Sequence, residues 1–331
     1  MKKELLKTEE AITMVKETFS KELLSRLELT RVSSPLAIPG GTGVNDDLNG
    51  TEKPVSFDIK NLPGRKAVIV QSLAKWKRLR LEELGIEAGR GILTDMHALR
   101  PDEVLSPLHS VYVDQWDWEK RINPGDRTLA YLKTTVSNIY KTLKHTEEAI
   151  SIIYPEVERI LPDEITYIHS NELLSMYPGL SPSERETKAA ERFGAIFLEG
   201  IGCRLDDGSI HDGRAPDYDD WSTLNEERTH GLNGDIIVWN PVLRSAFEIS
   251  SMGIRVNQES LLRQLKIREC TDRLELPFHK SLFSGALPLS IGGGIGQSRV
   301  CMYMLRRSHI KEVQVGIWPE TVSIKSSRPL N

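Results

Sequence analysis

The predicted strands of this chain come in runs interspersed with helices, without the regular β-α-β alternation that builds a parallel sheet. That pattern restricts the fold to the α+β class, with a mostly antiparallel β-sheet flanked by helices. Apolar residues at Ala11, Ile12, Val15, Phe19, Leu23 and Leu24 recur at spacings of three and four, so residues 8–26 are expected to form a helix with one buried face. Residues 27–38 lean towards strand up to Pro35, which cannot donate to a central ladder and favours an edge or an interface. Further strands are expected over residues 67–70, 91–99 and 110–118, the last two as a hairpin pair, and over 165–169, 195–198, 235–239, 246–249 and 288–291. Helices are expected over residues 73–84, 129–153, 183–193, 258–266 and 299–307, with Ser181-Pro182 and Glu184 reading as a helix start. The glycine-rich stretch 40–50 is too full of turn formers for regular structure, and a loop of that length in a compact domain suggests a functional lid. No repeat, low-complexity tract or linker interrupts the chain, so residues 1–331 are expected to form a single domain.

Composition narrows the class of function. No apolar run approaches the ~20 residues needed to cross a bilayer. The opening Met-Lys-Lys-Glu-Leu-Leu-Lys lacks the apolar core and cleavage site of a secretory signal, so a cytoplasmic location is expected. A formal net charge of -4, with basic residues scattered among acids, offers no footprint for nucleic acid. Cys203, Cys270 and Cys301 are far apart, have no metal-ligand spacing, and are expected to be buried free thiols.

Two arginines carry the strongest chemical signal. Arg100 stands in His-Ala-Leu-Arg-Pro-Asp-Glu (97–103), where Pro101 biases it to an extended backbone at the end of a strand. Arg299 ends Gly-Gly-Gly-Ile-Gly-Gln-Ser-Arg (292–299), whose glycines allow either close approach to a ligand or a tight strand-to-helix turn. Each arginine alone is compatible with a surface salt bridge, but two guanidiniums converging on one pocket would suit the triphosphate of ATP. Asp235 and Glu248 fall in or beside apolar strands, where a carboxylate needs a partner; a structural salt bridge and a shared Mg²⁺ on the triphosphate both answer that need. Lys77 and Arg255 could clamp a substrate carboxylate, although Lys75 and Lys77 also fit a solvated helix face. Gln115 and Asp117 alternate along one strand and so share a face. The acidic string Asp217-Tyr-Asp219-Asp220-Trp221 reads as a solvated loop, and His97, His109, His211 and His230 form no ligand motif.

Together these pieces resemble the class II aminoacyl-tRNA synthetase core. A helix leading into a strand that ends at Pro35 resembles its first motif, residues 99–103 its second, and residues 292–299 followed by an apolar helix its third. Gln71-Ser-Leu-Ala-Lys-Trp-Lys77 looks like the aspartate-binding Gln-Ser-Pro-Gln-x-x-Lys of aspartyl-tRNA synthetases, and Glu248 and Arg255 keep the spacing of their Glu-Leu-Gly-Gly-Gly-Ser-x-Arg. The chain departs from both strings at Leu73, Ala74 and residues 250–252. Over nearly its whole length it is similar to the bacterial ammonia-dependent asparagine synthetases, the aspartate–ammonia ligases; residues 72–78, 106–119, 214–223 and 231–243 carry further strings of that family.

The resemblance implies that ATP adenylates the β-carboxylate of L-aspartate and that ammonia displaces AMP. It places Arg100 on the α-phosphate, Arg299 at the ATP tail with Asp219 and Gly294, and Asp235 with Glu248 as ligands of Mg²⁺. Ser72, Lys77, Ser251 and Arg255 would bind aspartate, Asp117 would meet its ammonium group beside Gln115, and Asp46 would close over the substrate. It further implies a homodimer with Pro35 near the axis, and no tRNA or membrane partner. An aspartyl-tRNA synthetase, a non-catalytic regulatory paralogue and a glutamine-dependent amidotransferase are the rivals. The last would need a nucleophilic cysteine, and position 2 is lysine.

Overall fold

The computed structural model describes residues 2–46, 52–319 and 330. Helix α1 (Lys2–Arg26) leads into strand β1 (Leu29–Arg31), and β2 (Ala37–Pro39), β3 (Ser56–Asp58) and β4 (Lys66–Ile69) make a small sheet in the order β2-β4-β3. There follow α2 (Ala74–Glu83), β5 (Gly91–Leu99), β6 (Tyr112–Arg121), α3 (Leu129–Ile153), β7 (Thr166–His169), α4 (Ser170–Met176), α5 (Pro182–Phe193) and β8 (Ala195–Glu199). The remaining elements are β9 (Asn233–Asn240), β10 (Ser245–Ile254), α6 (Gln258–Ile267), α7 (Pro277–Phe283), β11 (Ser290–Gly296) and α8 (Gln297–Met304).

The main sheet has eight strands in the order β1-β5-β6-β11-β10-β9-β8-β7. The six central strands pair antiparallel, while β1 and β7 join the two edges in parallel. The expected α+β class and hairpin pairing both hold. β1 is an edge strand, but it is three residues long and ends at Arg31, so Pro35 lies beyond it.

One face of the sheet is covered by α1, α3 and α8. The buried stripe of α1, from Ala11 to Leu23, packs on this face, and Phe19 stacks on Trp116 with ring centroids 4.4 Å apart. Trp116 and Trp118 point into this core because side chains alternate across a strand. Gln115, Asp117 and Glu119 are thereby delivered to the opposite face. Thr128 caps α3 by accepting from the Tyr131 N–H at 3.1 Å, and Ser181 with Glu184 forms the capping box of α5.

Gly292, Gly293 and Gly294 lie inside β11, paired on both sides, while Gly296 ends the strand and caps α8, so only the last glycine of the run serves the strand-to-helix junction. A Cβ at Gly293 would enter the Met252 backbone region, one at Gly292 would sit 2.6 Å from Arg255 Nη2, and one at Gly294 would strike Gln115. Glycine survives in this central strand because its neighbours' side chains occupy the space. Gly292→Ala is expected to lower stability by about 1–3 kcal/mol, the cost of overpacking a filled site, read as a shift in denaturant midpoint at constant slope.

Two further expectations change. Residues 217–221 are not a solvated loop: Asp217, Asp219, Asp220 and Trp221 are all at most 2% exposed. Basic side chains from distant segments neutralise the acids there, including Lys75 on Asp217, Arg255 on Asp219 and Arg127 on Asp220. Of the cysteines only Cys301 is buried, and Cys203 and Cys270 are partly exposed.

Candidate active site

A cavity of about 530 Å³ opens on the sheet face opposite α1 and α3, floored by β6, β11 and β10. All of the predicted site residues line it except Asp235, which is buried alongside.

At one end α2 delivers Lys77, fully buried, whose ammonium donates to Asp117 and, at 3.0 Å, to the Gly293 carbonyl. The solvated-helix alternative for Lys75 and Lys77 is therefore excluded, since both are at most 2% exposed. Burial lowers the Lys77 pKa, and Asp117 only partly offsets it. Beside it, Arg255 donates through Nε and Nη2 to Glu119 at 2.8–3.1 Å and through Nη1 to Asp219. Burial works against the Arg255 charge, but Glu119 and Asp219 outweigh it and hold the guanidinium protonated. Three carboxylates, Asp117, Glu119 and Asp219, thus face two cations, Lys77 and Arg255. Such a cluster has a place for an ammonium group. Ser72 and Ser251 border it, and Gly294, opposite both Asp117 and Ser251 in the ladder, leaves room on its floor for the Gln115 side chain.

At the other end Arg100 follows the last residue of β5, as Pro101 predicted, with its N–H on the Val111 carbonyl. Its guanidinium Nη2 donates to the Gln71 carbonyl at 3.1 Å and lines the cavity. Arg299, in the first turn of α8, contacts His109 Nε2 at 3.0 Å and the Glu248 carboxylate at 3.3 Å. Two arginines from segments 199 positions apart in number therefore share one cavity with unpaired N–H groups to spare.

Asp235 accepts from Arg214, and its Oδ1 is buried without a hydrogen-bond partner. Burial, and then the neighbouring Glu248, push its carboxyl up to about 7 against the pull of Arg214. Glu248 itself is not buried: its side chain is 46% exposed towards the cavity. The cavity walls raise its pKa, yet Arg299 and Arg214 outweigh them and hold it low. An orphaned carboxylate oxygen beside a second carboxylate is a donor set that a hard divalent cation fits. Among the described residues no three acidic, histidine or cysteine side chains could hold a metal by themselves, so most of such a cation's shell would be phosphate and water.

Asp46 is 2% exposed and lines the cavity beside Tyr218. Burial, then the Asp46 and Asp219 carboxylates, push the Tyr218 phenol well above its usual range. The rest of the expected lid, residues 47–50, lies outside the described residues.

Three residues of the cavity region were missed from sequence. Glu119 continues the i, i+2 register of Gln115 and Asp117, a signal that was present. Gln71 opens the quoted string, is 1% exposed, and leaves both ends of its amide unpartnered at the cavity. Arg214 opens the string 214–223 and pairs locally with Asp212, but its bond to Asp235 joins it to a separate strand that no short window contains.

The fold is that of the class II aminoacyl-tRNA synthetases. Asparaginyl-tRNA synthetase from Pyrococcus horikoshii, solved with asparaginyl-adenylate, superposes with a TM-score of 0.69 at 15% identity, covering 93% of this chain and 68% of that one. Aspartyl-tRNA synthetase from Entamoeba histolytica gives 0.60 at 14% identity, covering 96% of this chain and 60% of that one. At that identity the likeness concerns the fold. Residues 6–328 match the aspartate-ammonia ligase family model, and the aspartate–ammonia ligase of Parabacteroides distasonis is 54% identical over 96% of this chain and 92% of its own length. The chain belongs to the aspartate–ammonia ligase family.

Proposed function

We propose that the protein makes L-asparagine from L-aspartate, ammonia and ATP through a β-aspartyl-adenylate. The observation that carries this reading is one cavity with a zwitterion-binding end at Lys77, Asp117 and Arg255 and a phosphate-binding end at Arg100 and Arg299. The family membership and the 54% identical ligase support the same substrates.

Aspartate enters with its ammonium group on Asp117 and its carboxylates towards Lys77, Arg255 and the Gln71 amide, dividing the Lys77–Asp117 pair between its own charges. A β-carboxylate oxygen attacks the α-phosphorus, the bond to the bridging oxygen breaks, and pyrophosphate leaves. Arg100 offsets charge gathering on the α-phosphate, while Arg299 holds the tail with Gly294 and Asp219 nearby. Asp235 and Glu248 would hold Mg²⁺, which supplies charge neutralisation on the phosphates when bound. The nitrogen lone pair of ammonia then attacks the acyl carbon, and AMP leaves with the electrons of the carbon–oxygen bond. Asp46, which lines the same cavity as Gln115 and Asp117, takes the proton that the nitrogen sheds. The chain works as one catalytic domain in a homodimer that places Pro35 near the two-fold axis, and it acts on no tRNA.

Incubation with ATP, Mg²⁺, aspartate and either ammonium or glutamine tests the reading. Asparagine and AMP in equal amounts are expected from ammonium, with no gain from glutamine. Aspartylated tRNA, or no nucleotide turnover, would overturn it.

A further inference from the structure

A second cluster of buried charge lies outside the substrate contacts, beneath the segment that carries Asp46. Asp217 is fully buried, and its Oδ2 receives Lys75 Nζ at 3.1 Å, Arg273 Nη1 at 3.0 Å and His279 Nε2 at 2.9 Å. The three donors come from three places: α2, the 3₁₀ turn Thr271–Glu275 and α7. Burial alone would raise the Asp217 carboxyl, but Lys75, His279 and Arg273 hold it far below the usual carboxylate range.

The other edge of the His279 ring points at the Asp46 segment. His279 Nδ1 is buried without a partner and lies against Gly43, where a Cβ would sit 2.9 Å from it. Gly43 has φ +75°, a conformation glycine adopts at least cost. One residue earlier, the Thr42 carbonyl accepts from the Phe278 N–H at 3.2 Å. One residue later, Val44 packs between two apolar clusters, one containing Phe278 and Leu282 and the other Val70 and Met96. Asn45 then accepts from the Gln71 N–H at 2.9 Å and donates to the Ile69 carbonyl at 3.2 Å. Gln71 is the residue whose carbonyl receives Arg100. Four consecutive residues before Asp46 are thus each pinned, on one side by α7 and on the other by the strand end that orients Arg100.

We infer that the Asp217 cluster, acting through His279 and Gly43, is a positioning device that sets Asp46 over the aspartyl-adenylate so that ammonia rather than water consumes it. An apolar filler would exclude water from this spot as well as or better than four ionisable groups, which are costly to bury. An ion pair, however, stabilises only one separation and orientation, whereas apolar surfaces slide. Tyr218 extends the device: its neighbours in sequence, Asp217 and Asp219, anchor it between the cluster and Arg255, and it lines the same cavity as Asp46. The inference rests on the reaction proposed above. In the productive route the carbon–nitrogen bond forms, the carbon–oxygen bond to AMP breaks, and the nitrogen loses one proton to Asp46. In the wasteful route water attacks the same carbon and returns aspartate and AMP.

The test compares AMP released per asparagine formed, alongside aspartate-dependent ATP–pyrophosphate exchange, in the full-length native protein and in His279→Ala, His279→Gln and Gly43→Ala. A displaced segment should raise the AMP-to-asparagine ratio by roughly tenfold in His279→Ala, while exchange, which precedes ammonia attack, stays within about threefold. His279→Gln restores a donor to Asp217 and is expected to bring the ratio back towards native. Gly43→Ala, which pushes on the ring from the opposite side, should reproduce the alanine phenotype even if His279→Ala fails to fold. A native protein that makes asparagine, with variants whose ratio is unchanged or whose two steps fall in equal proportion, overturns this inference alone. A native protein that makes none overturns the reaction assignment and this inference with it.

Discussion

Arg100→Ala is expected to lower kcat by roughly 10²–10³, the usual cost of removing one preorganised donor from a site of developing charge. Its backbone is fixed by the Val111 carbonyl and its Nη2 by Gln71, so the guanidinium is held at the cavity before any nucleotide arrives. It therefore contributes without reorganising. Charge on the α-phosphate oxygens grows towards the transition state, so the loss should fall mainly on kcat, with a smaller change in the KM for ATP. Arg100→Lys should recover little, because a point charge cannot reproduce the planar fork. Initial rates of pyrophosphate release at saturating aspartate decide this, and a variant within threefold of native would remove Arg100 from the chemistry.

The second large effect is expected at Lys77. Lys77→Met keeps the volume but leaves Asp117 and Glu119 buried with one cation fewer, since Lys77 is bonded to the first and 4.0 Å from the second. Breaking a buried pair by removing one partner costs about 3–5 kcal/mol, visible as a lower denaturant midpoint. The same cation is proposed to meet a substrate carboxylate, so kcat/KM for aspartate should fall by roughly 10³ or more while the KM for ATP moves little. Lys77→Met, Asp117→Asn should regain part of the stability, because the uncompensated carboxylate is gone, and none of the activity. A single variant of native stability would show that the pair is peripheral.

Much of the fold was legible because its signals are local. The periodicity of residues 129–153 marked α3 to the residue, the Ser181 box marked the start of α5, and Pro101 marked the end of the strand before Arg100. The strand boundaries around the glycine run were not legible. Gly292 to Gly296 belong to a strand only because β6 and β10 pair with it and their side chains fill the space above it.

The site divides in the same way. Arg100, Arg299, Lys77 and Asp117 were readable from short strings, since each string gives a residue type and a backbone direction. Whether a charge is buried depends on partners that no window contains. Asp217 looked solvated because its neighbours are polar; the Lys75, Arg273 and His279 side chains that meet it lie 142, 56 and 62 residues away. The alternating register puts Glu119 on the face of Gln115 and Asp117, but its pairing depends on Arg255, 136 residues distant.

By itself, then, the amino-acid order determined which segments are helical or extended, which face of each is apolar, and which side chains have phosphate and carboxylate chemistry to offer. Only the tertiary arrangement decided which charges leave water together, because an ion's cost of burial is offset by groups brought near in space, and that proximity is a property of the packed sheet.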